Sequence, residues 1–326
     1  MVNFWASLLA ISVLIYLILD GFDLGIGMLF GLVKSERRRD AVLATISPVW
    51  DGNETWLVVA GVIMWGAFAL AYSMLLSELY IPVLVMLLGL ILRGVAFEFR
   101  NKSLASKWVW NVSFVVGSFA ASFMQGTMVG AVVHVLHFVD REYSGGPFGW
   151  FTPFSALCGV GLCLGYSLLG ASWLVGKSEG AIHRSARKQI PPLAIGVLIF
   201  LVAIFAYSLA ERLAILHRWL DRPYLFLFPL VGVAAAAMLA RSIVDHNDHW
   251  PFRLVALIFV TAFATLGLSF WPYMIPFVLT IEEAAAPYSS LAFMFWGEGL
   301  FVFPLMLIYV ALGYHVFRGK AVIHYE

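Results

Sequence analysis

Long apolar runs separated by short polar gaps dominate the chain. Nine such runs lie near 4–33, 48–71, 75–99, 108–138, 152–176, 190–211, 224–240, 252–274 and 290–314. A spanning helix needs about 20 mostly apolar residues, at ~1.5 Å rise across ~30 Å of hydrocarbon, so each run is read as a span. The gaps leave no room for a separate soluble domain. The pattern therefore predicts an all-α membrane protein of about nine transmembrane helices, one integral membrane domain over 1–326. Helices 1–4 (roughly 4–138) and 5–8 (roughly 152–274) are expected as two packed four-helix bundles, with helix 9 (290–314) peripheral. The first run is too long, and too poor in flanking basic charge, for a cleavable signal peptide, so it is kept as a span.

Composition strengthens this picture. Hydrophobic residues make up 62% of the chain and charged residues 12%, against about 25% charge in soluble domains. With 20 Lys and Arg against 19 Asp and Glu, no basic surplus exists to neutralise a phosphate backbone, and nucleic acid is not expected as a partner. Cys158 and Cys163 lie in one apolar run, which suits neither a disulfide framework nor a paired metal site.

Charge placement gives an orientation. Fifteen of the 20 Lys and Arg fall after spans one, three, five and seven or in the tail, among them Lys34, Arg37, Arg38, Arg39, Arg100, Lys177 and Arg241. Only Arg141, Arg212, Arg218 and Arg222 fall on the other side, and Arg93 lies inside a span. The positive-inside rule then puts the N-terminus outside and the C-terminus in the cytoplasm.

Ionisable residues at membrane depth need a partner, a cavity or a proton path. Span one carries Asp20 and Asp23 in "LDGFDLGIG", at i and i+3 on one helix face. Span two opens with "SPVWDGNETWL"; Ser47 is expected as N-cap and Pro48 as the first helical residue, which puts Asp51 and Glu54 one to two turns inside. Span three ends in "LRGVAFEFR", with Arg93 in the membrane and Glu98 and Arg100 at its surface. Counting from the basic edge at ~1.5 Å per residue places Asp51 at ~5 Å, Glu54 and Arg93 at ~9 Å, Asp23 at ~15 Å and Asp20 at ~20 Å. Such a staircase suits a water-linked proton relay tempered by one cation. The alternative is a static ion-paired plug, with Arg93 neutralising Asp23 or Glu54. The glycines at 21, 25, 27 and 31 share the helix of the two aspartates and read as close helix packing rather than as a phosphate loop.

Other chemistry is sparse. Only His134 and His137 lie at membrane depth, and two histidines on one helix cannot both ligate one iron axially, so no haem or metal ligand is expected in this chain. Gln125 and Glu298 are further intramembrane polar residues, and the role of Glu298 is left open. The segment "WPYMIPFVLTIEEAAAPYSS" reads as an interfacial cap anchored by Trp271 and Tyr273. No nucleotide, metal or nucleophile motif occurs.

The strings "LDGFDLGIGML" (19–29), "SPVWDGNETWLVVAG" (47–61), "LRGVAFEFR" (92–100) and "FWPYMIPFVLTIEEAAAPYSSLAFMFWGEG" (270–299) together resemble subunit 2 of cytochrome bd-type quinol oxidases. The compact length and "TIEEAAAPYSS" look closer to the cyanide-insensitive branch. The resemblance implies a bacterial cytoplasmic-membrane heterodimer that oxidises quinol and reduces dioxygen to water. It places two haems b and a haem d or b in subunit 1, and leaves none to this chain. It also allows a structural quinone here, with no residues assigned, and a small single-span accessory subunit. The implied role is to support subunit 1 and to supply a cytoplasmic proton pathway through Asp51, Asp20, Asp23 and Arg93, with Glu54 and Glu98 alongside and Trp50, Asn53 and Arg100 in support. A secondary transporter, or a purely structural subunit, remains as the alternative.

Overall fold

The computed structural model describes residues 1–100, 102, 103, 106–134, 138, 139, 142, 143, 146–210 and 219–320. His137, His217, His324, Arg141, Arg212 and Arg218 lie outside the described residues. Among the described residues the architecture is all-α apart from two short hairpins: β1 (Phe138–Val139) with β2 (Glu142–Tyr143), and β3 (Tyr273–Ile275) with β4 (Leu279–Thr280), both antiparallel.

The helices are α1 (Val2–Phe30), α2 (Glu36–Ala44), α3 (Trp50–Ala67), α4 (Ala69–Arg100), α5 (Lys107–Val133), α6 (Pro153–Lys177) and α7 (Gly180–Ala210). They continue with α8 (Leu227–Val244), α9 (Pro251–Phe270), the short α10 (Ile281–Ala284) and α11 (Tyr288–Val316). Among the described residues, 8 helices are long and apolar enough to cross a membrane: α1, α4 to α9 and α11. The expected ninth, α3, is helical but has 18 residues and opens with Trp-Asp-Gly-Asn-Glu. At ~1.5 Å per residue that is about 27 Å, and its first turn is polar.

Two boundaries differ from expectation for physical reasons. Ser47 and Pro48 do not start α3. Residues 45–49 form a turn in which Leu43 and Ile46 carbonyls accept from the Ser47 and Trp50 amides (2.9 and 3.0 Å), so Val49 is the N-cap and the helix begins at Trp50. The polar segment before it holds α2, "ERRRDAVLA", which a hydropathy pattern cannot see because tertiary ion pairs stabilise it. Further along, α4 bends at Leu79 (φ −95°, ψ 15°), three residues before Pro82. Proline has no N–H for the Glu78 carbonyl and its ring crowds that turn, which accounts for the kink.

Close approach of backbones organises the bundle. A Cβ on Gly25 would sit 1.8 Å from the Tyr166 carbonyl oxygen, and one on Gly170 2.6 Å from the Ile26 nitrogen, so α1 crosses α6 at a contact only glycine permits. The segment after α9 is pinned rather than loose: Ile281 N–H donates to the Pro272 carbonyl (2.9 Å), and Thr280 and Glu283 cap α10 reciprocally.

Two apolar clusters fill the interior. One, around Phe22, Phe30, Leu90, Phe114 and Leu169, occupies the end of the bundle that carries Lys34, Arg100 and Lys177; the other, around Trp5, Trp56, Phe68 and Leu279, occupies the far end. On α1, α3 and α5 the polar side chains of Asp20, Asn53, Glu54 and Gln125 fall between these clusters. That band is the candidate site.

Candidate functional site

Arg93 reaches from α4 into the band with its guanidinium almost fully buried. Nη1 donates to Asp20 Oδ1 at 2.7 Å and Nη2 to Glu54 Oε2 at 2.9 Å. The Asp20 side chain has no exposure, whereas that of Glu54 is 28% exposed. One cation thus joins an interior carboxylate to one that is still partly open.

Asp23 takes a different partner. Asn53 Nδ2 donates to Asp23 Oδ2 at 2.8 Å, while Asn53 Oδ1 accepts from the Tyr314 hydroxyl at 2.9 Å, which ties α11 to α3 and α1. Asp20 Oδ2, Asp23 Oδ1 and Arg93 Nε are buried without a hydrogen-bond partner. Asp23 and Arg93 also line a cavity of about 10 Å3, walled by Ile46, Trp50, Phe97 and Phe114. That volume is at the threshold for one water. Trp50 is held in its wall by packing on Phe97, ring centroids 5.0 Å apart.

A second chain of neutral groups adjoins the acids. Gln125 Nε2 donates to the Tyr16 hydroxyl (2.7 Å), and the Tyr166 hydroxyl donates to Gln125 Oε1 (2.8 Å). Tyr16 lies one helical turn before Asp20 on α1, so both groups face the same side.

The other expected residues separate. Asp51 lies in the first turn of α3 and is exposed, three residues before Glu54. Glu98 is exposed and lies 3.9 Å from Lys102. Arg100 turns the opposite way: Nε donates to Asn111 (2.6 Å), Nη1 to Asp40 (2.5 Å) and Nη2 to Glu36 (2.6 Å). Glu98 and Arg100 therefore do not form one group. Of the two pairings the plug reading offered Arg93, the one with Glu54 is formed and the one with Asp23 is not; Asp20 is the second partner.

Sequence reasoning did not single out Tyr16, Tyr166, Tyr314, Glu36, Asp40 or Glu78. The i, i+4 spacing to Asp20 could have found Tyr16. Glu78, 2% exposed at the α4 kink with Oε2 unpartnered, could have been found as an acid inside span three. Glu298 lies half-buried in the π-helical turn Phe295–Val302 of α11. His134, at the end of α5, packs against the rings of Phe154 and Tyr207 (5.6 and 6.3 Å). Among the described residues no group of three or more His, Cys, Asp or Glu converges to hold a metal.

Glu36, outside the spans, has a lowered pKa. Partial burial acts to raise it, but the hydrogen bonds and charges of Arg39 and Arg100 outweigh that and hold its carboxyl below the usual range.

The protein family described as Cytochrome bd terminal oxidase subunit II matches residues 1–317 of this chain. The chain belongs to that family. It is a multi-pass membrane subunit of a bacterial respiratory oxidoreductase complex, and the transporter alternative is thereby set aside. Among relatives of this subunit II, "Cytochrome bd ubiquinol oxidase subunit 2" of Bacillus subtilis is 28% identical, covering 99% of this chain and 97% of its own length. "Cytochrome bd-I ubiquinol oxidase subunit 2" of Escherichia coli K12 is 25% identical over 97% of this chain and 94% of its own. A chain in the structure of bd oxidase from Geobacillus thermodenitrificans shares the fold, with a TM-score of 0.74 at 15% identity, covering 97% and 95% of the two chains.

Proposed function

We propose that this chain supports the haem-bearing subunit 1 of a quinol:oxygen oxidoreductase and supplies it with protons from the cytoplasm. The observation that carries this reading is the Arg93 guanidinium held between Asp20 and Glu54. Three carboxylates, counting Asp23, face that one cation, so charge left unmatched must be met by protons or water. Unpartnered atoms of Asp20, Asp23 and Arg93 beside a cavity of about 10 Å3 support a route that one water completes.

The route runs from exposed Asp51 to Glu54, then across Arg93 to Asp20, with Asp23 held alongside by Asn53. Trp50 walls it. Glu98 contributes surface charge at the entrance, and Arg100 fixes the helices around it. On this reading the catalytic groups and the haem ligands, for two haems b and a haem d or b, belong to subunit 1. The names of the Bacillus subtilis and Escherichia coli relatives support quinol as the reductant. Two quinols release four electrons and four protons, and dioxygen with four electrons and four protons gives two waters. If quinol protons leave outside while the chemical protons enter from the cytoplasm, charge is separated without a pump.

The Lys and Arg distribution supports a periplasmic N-terminus and a cytoplasmic C-terminus in the bacterial inner membrane. Within this proposal the chain is a single membrane domain of two four-helix bundles, with α3 counted in the first and the last helix peripheral; it belongs to the cyanide-insensitive branch and works with a structural quinone and a single-span accessory subunit.

The test replaces Asp51 by Asn and, separately, Glu54 by Gln in the intact two-subunit oxidase, with haem content checked. Slower oxygen consumption and proton uptake in haem-complete complexes is the expected result. Unchanged rates in both variants would leave the static plug.

A further inference from the structure

The end of the bundle that carries Lys34 and Arg100 has a feature the polar band does not use. Between the last turn of α1, α2, the end of α6 and the first turns of α7 lies a cleft of about 190 Å3. Phe30, Val42 and Leu174 lie buried beneath its floor, and the apolar side chains open to the space are Leu32, Val33 and Ile182. Its mouth carries Lys34 and Arg38, with Ser185 and Gln189 on the α7 wall.

The charges at this mouth are uncompensated. The two acids of α2 are taken up elsewhere: Glu36 pairs with Arg39 and Arg100, and Asp40 with Arg100. Lys34 and Arg38 are exposed and form no ion pair among the described residues. Two free cations therefore stand above an apolar slot at the level where three apolar spans end. A soluble anion would leave the slot unfilled, and an alkyl chain alone would leave the cations unmet. A molecule with a phosphate next to an acyl chain satisfies both, and basic clefts between spanning helices are recognised by such headgroups.

We propose that this cleft binds an anionic phospholipid, with its phosphate on Lys34 and Arg38, hydrogen bonds from Ser185 and Gln189, and the start of one acyl chain along Leu32 and Ile182. The lipid would brace α2 and α7 against α1 and α6, beside the elements that hold Arg100.

The experiment uses the intact oxidase, stripped in detergent and titrated with phosphatidylglycerol or phosphatidylcholine, with retained lipid counted by native mass spectrometry. Phosphatidylglycerol is expected to be held over phosphatidylcholine. Losing a surface cation weakens anionic lipid binding roughly fivefold, so Lys34→Gln with Arg38→Gln should weaken it about twenty-fivefold. Arg184→Gln with Lys188→Gln, exposed cations on the same end but outside the cleft, should leave retention unchanged. Ala181→Trp, which fills the slot without altering charge, should displace the lipid. The idea is overturned if both lipids are retained alike, if the Lys34 and Arg38 variant retains phosphatidylglycerol as before, or if inorganic phosphate at equal concentration displaces it.

Discussion

Arg93 and Arg100 stand two turns apart on α4, with exposures of 2% and 1%, yet their surroundings are built in opposite ways. Every nitrogen of Arg100 has a partner. Its three kinds of nitrogen donate to Asn111, Asp40 and Glu36, and both acids are themselves nearly half exposed, with side chains 46% and 44% accessible. Water can therefore meet those acids whenever the arginine lets go. Arg93 is not saturated. Its Nε has no partner, and neither do the second oxygens of the two aspartates nearest it. One arginine fastens α2 and α5 to α4; the other sits in a patch with more acid than base and with hydrogen-bonding capacity unspent. Burial alone does not mark a functional charge. What distinguishes the two is the balance of donors and acceptors around each.

The sharpest way to break this comparison is to remove each guanidinium in turn. Arg93→Met leaves Asp20 with no exposure and no counter-charge, and loss of one member of a buried pair costs about 3–5 kcal/mol. The yield of assembled oxidase and its melting temperature should fall steeply. Arg100→Met leaves two acids that water reaches and one buried Asn111 oxygen without its donor, so its cost should be about 1–3 kcal/mol, that of one unsatisfied buried polar group. Equal losses, measured side by side in the same membrane preparation, would erase the distinction.

A smaller effect separates transport from support. Asp20→Asn keeps an oxygen for Arg93 Nη1 but cannot carry a proton. Since a positioned proton-transfer group is typically worth 100-fold or more, turnover in proteoliposomes should drop at least about tenfold with haem content intact. Glu36→Gln, the matching change beside Arg100, should leave turnover at the wild-type rate. If Asp20→Asn turns over normally, the Arg93 patch is a plug and both arginines are structural.

The sequence allowed part of this contrast to be seen in advance. Counting residues put Glu54 and Arg93 at one depth, and they are bonded at 2.9 Å. The same count set Asp20 about 11 Å deeper than Arg93, although the two are bonded at 2.7 Å. The error came from the helix ends: measured from Phe30 and Arg100, where α1 and α4 end, Asp20 and Arg93 lie about 15 and 10 Å in, a gap a long arginine side chain spans. The i, i+3 rule put Asp20 and Asp23 on one face but could not say that they would choose different partners, because that depends on how α3 and α4 are rotated. Arg100's partners were hidden for another reason. Glu36 and Asp40 lie in a stretch so rich in charge that hydropathy reads it as a loop, and only tertiary pairing makes it α2. Glu78 was legible as an acid inside a span, whereas the kink beside it at Leu79 was not.

The smallest expected effect tests the saturated side by pH. Glu36 is held below the usual carboxylate range when folded, with partial burial outweighed by Arg39 and Arg100. A carboxyl whose folded pKa is depressed adds stability that is fully present above its unfolded pKa and is lost as pH falls through the folded value. Docking of α2 should therefore be constant from neutral pH down to the ordinary carboxylate range and loosen only below it. Hydrogen exchange of the 36–44 amides, corrected for intrinsic rates, should show protection falling about two- to threefold in that acid window, a modest change because the side chain is half exposed and screened by solvent. Glu36→Gln should begin with weaker protection at neutral pH and show a flatter profile. Amides around Asn53 should not follow that window, because Glu36 and its arginines lie at the bundle end rather than in the polar band. A matching fall at α2 and at Asn53 would mean that the two arginines belong to one cooperative network.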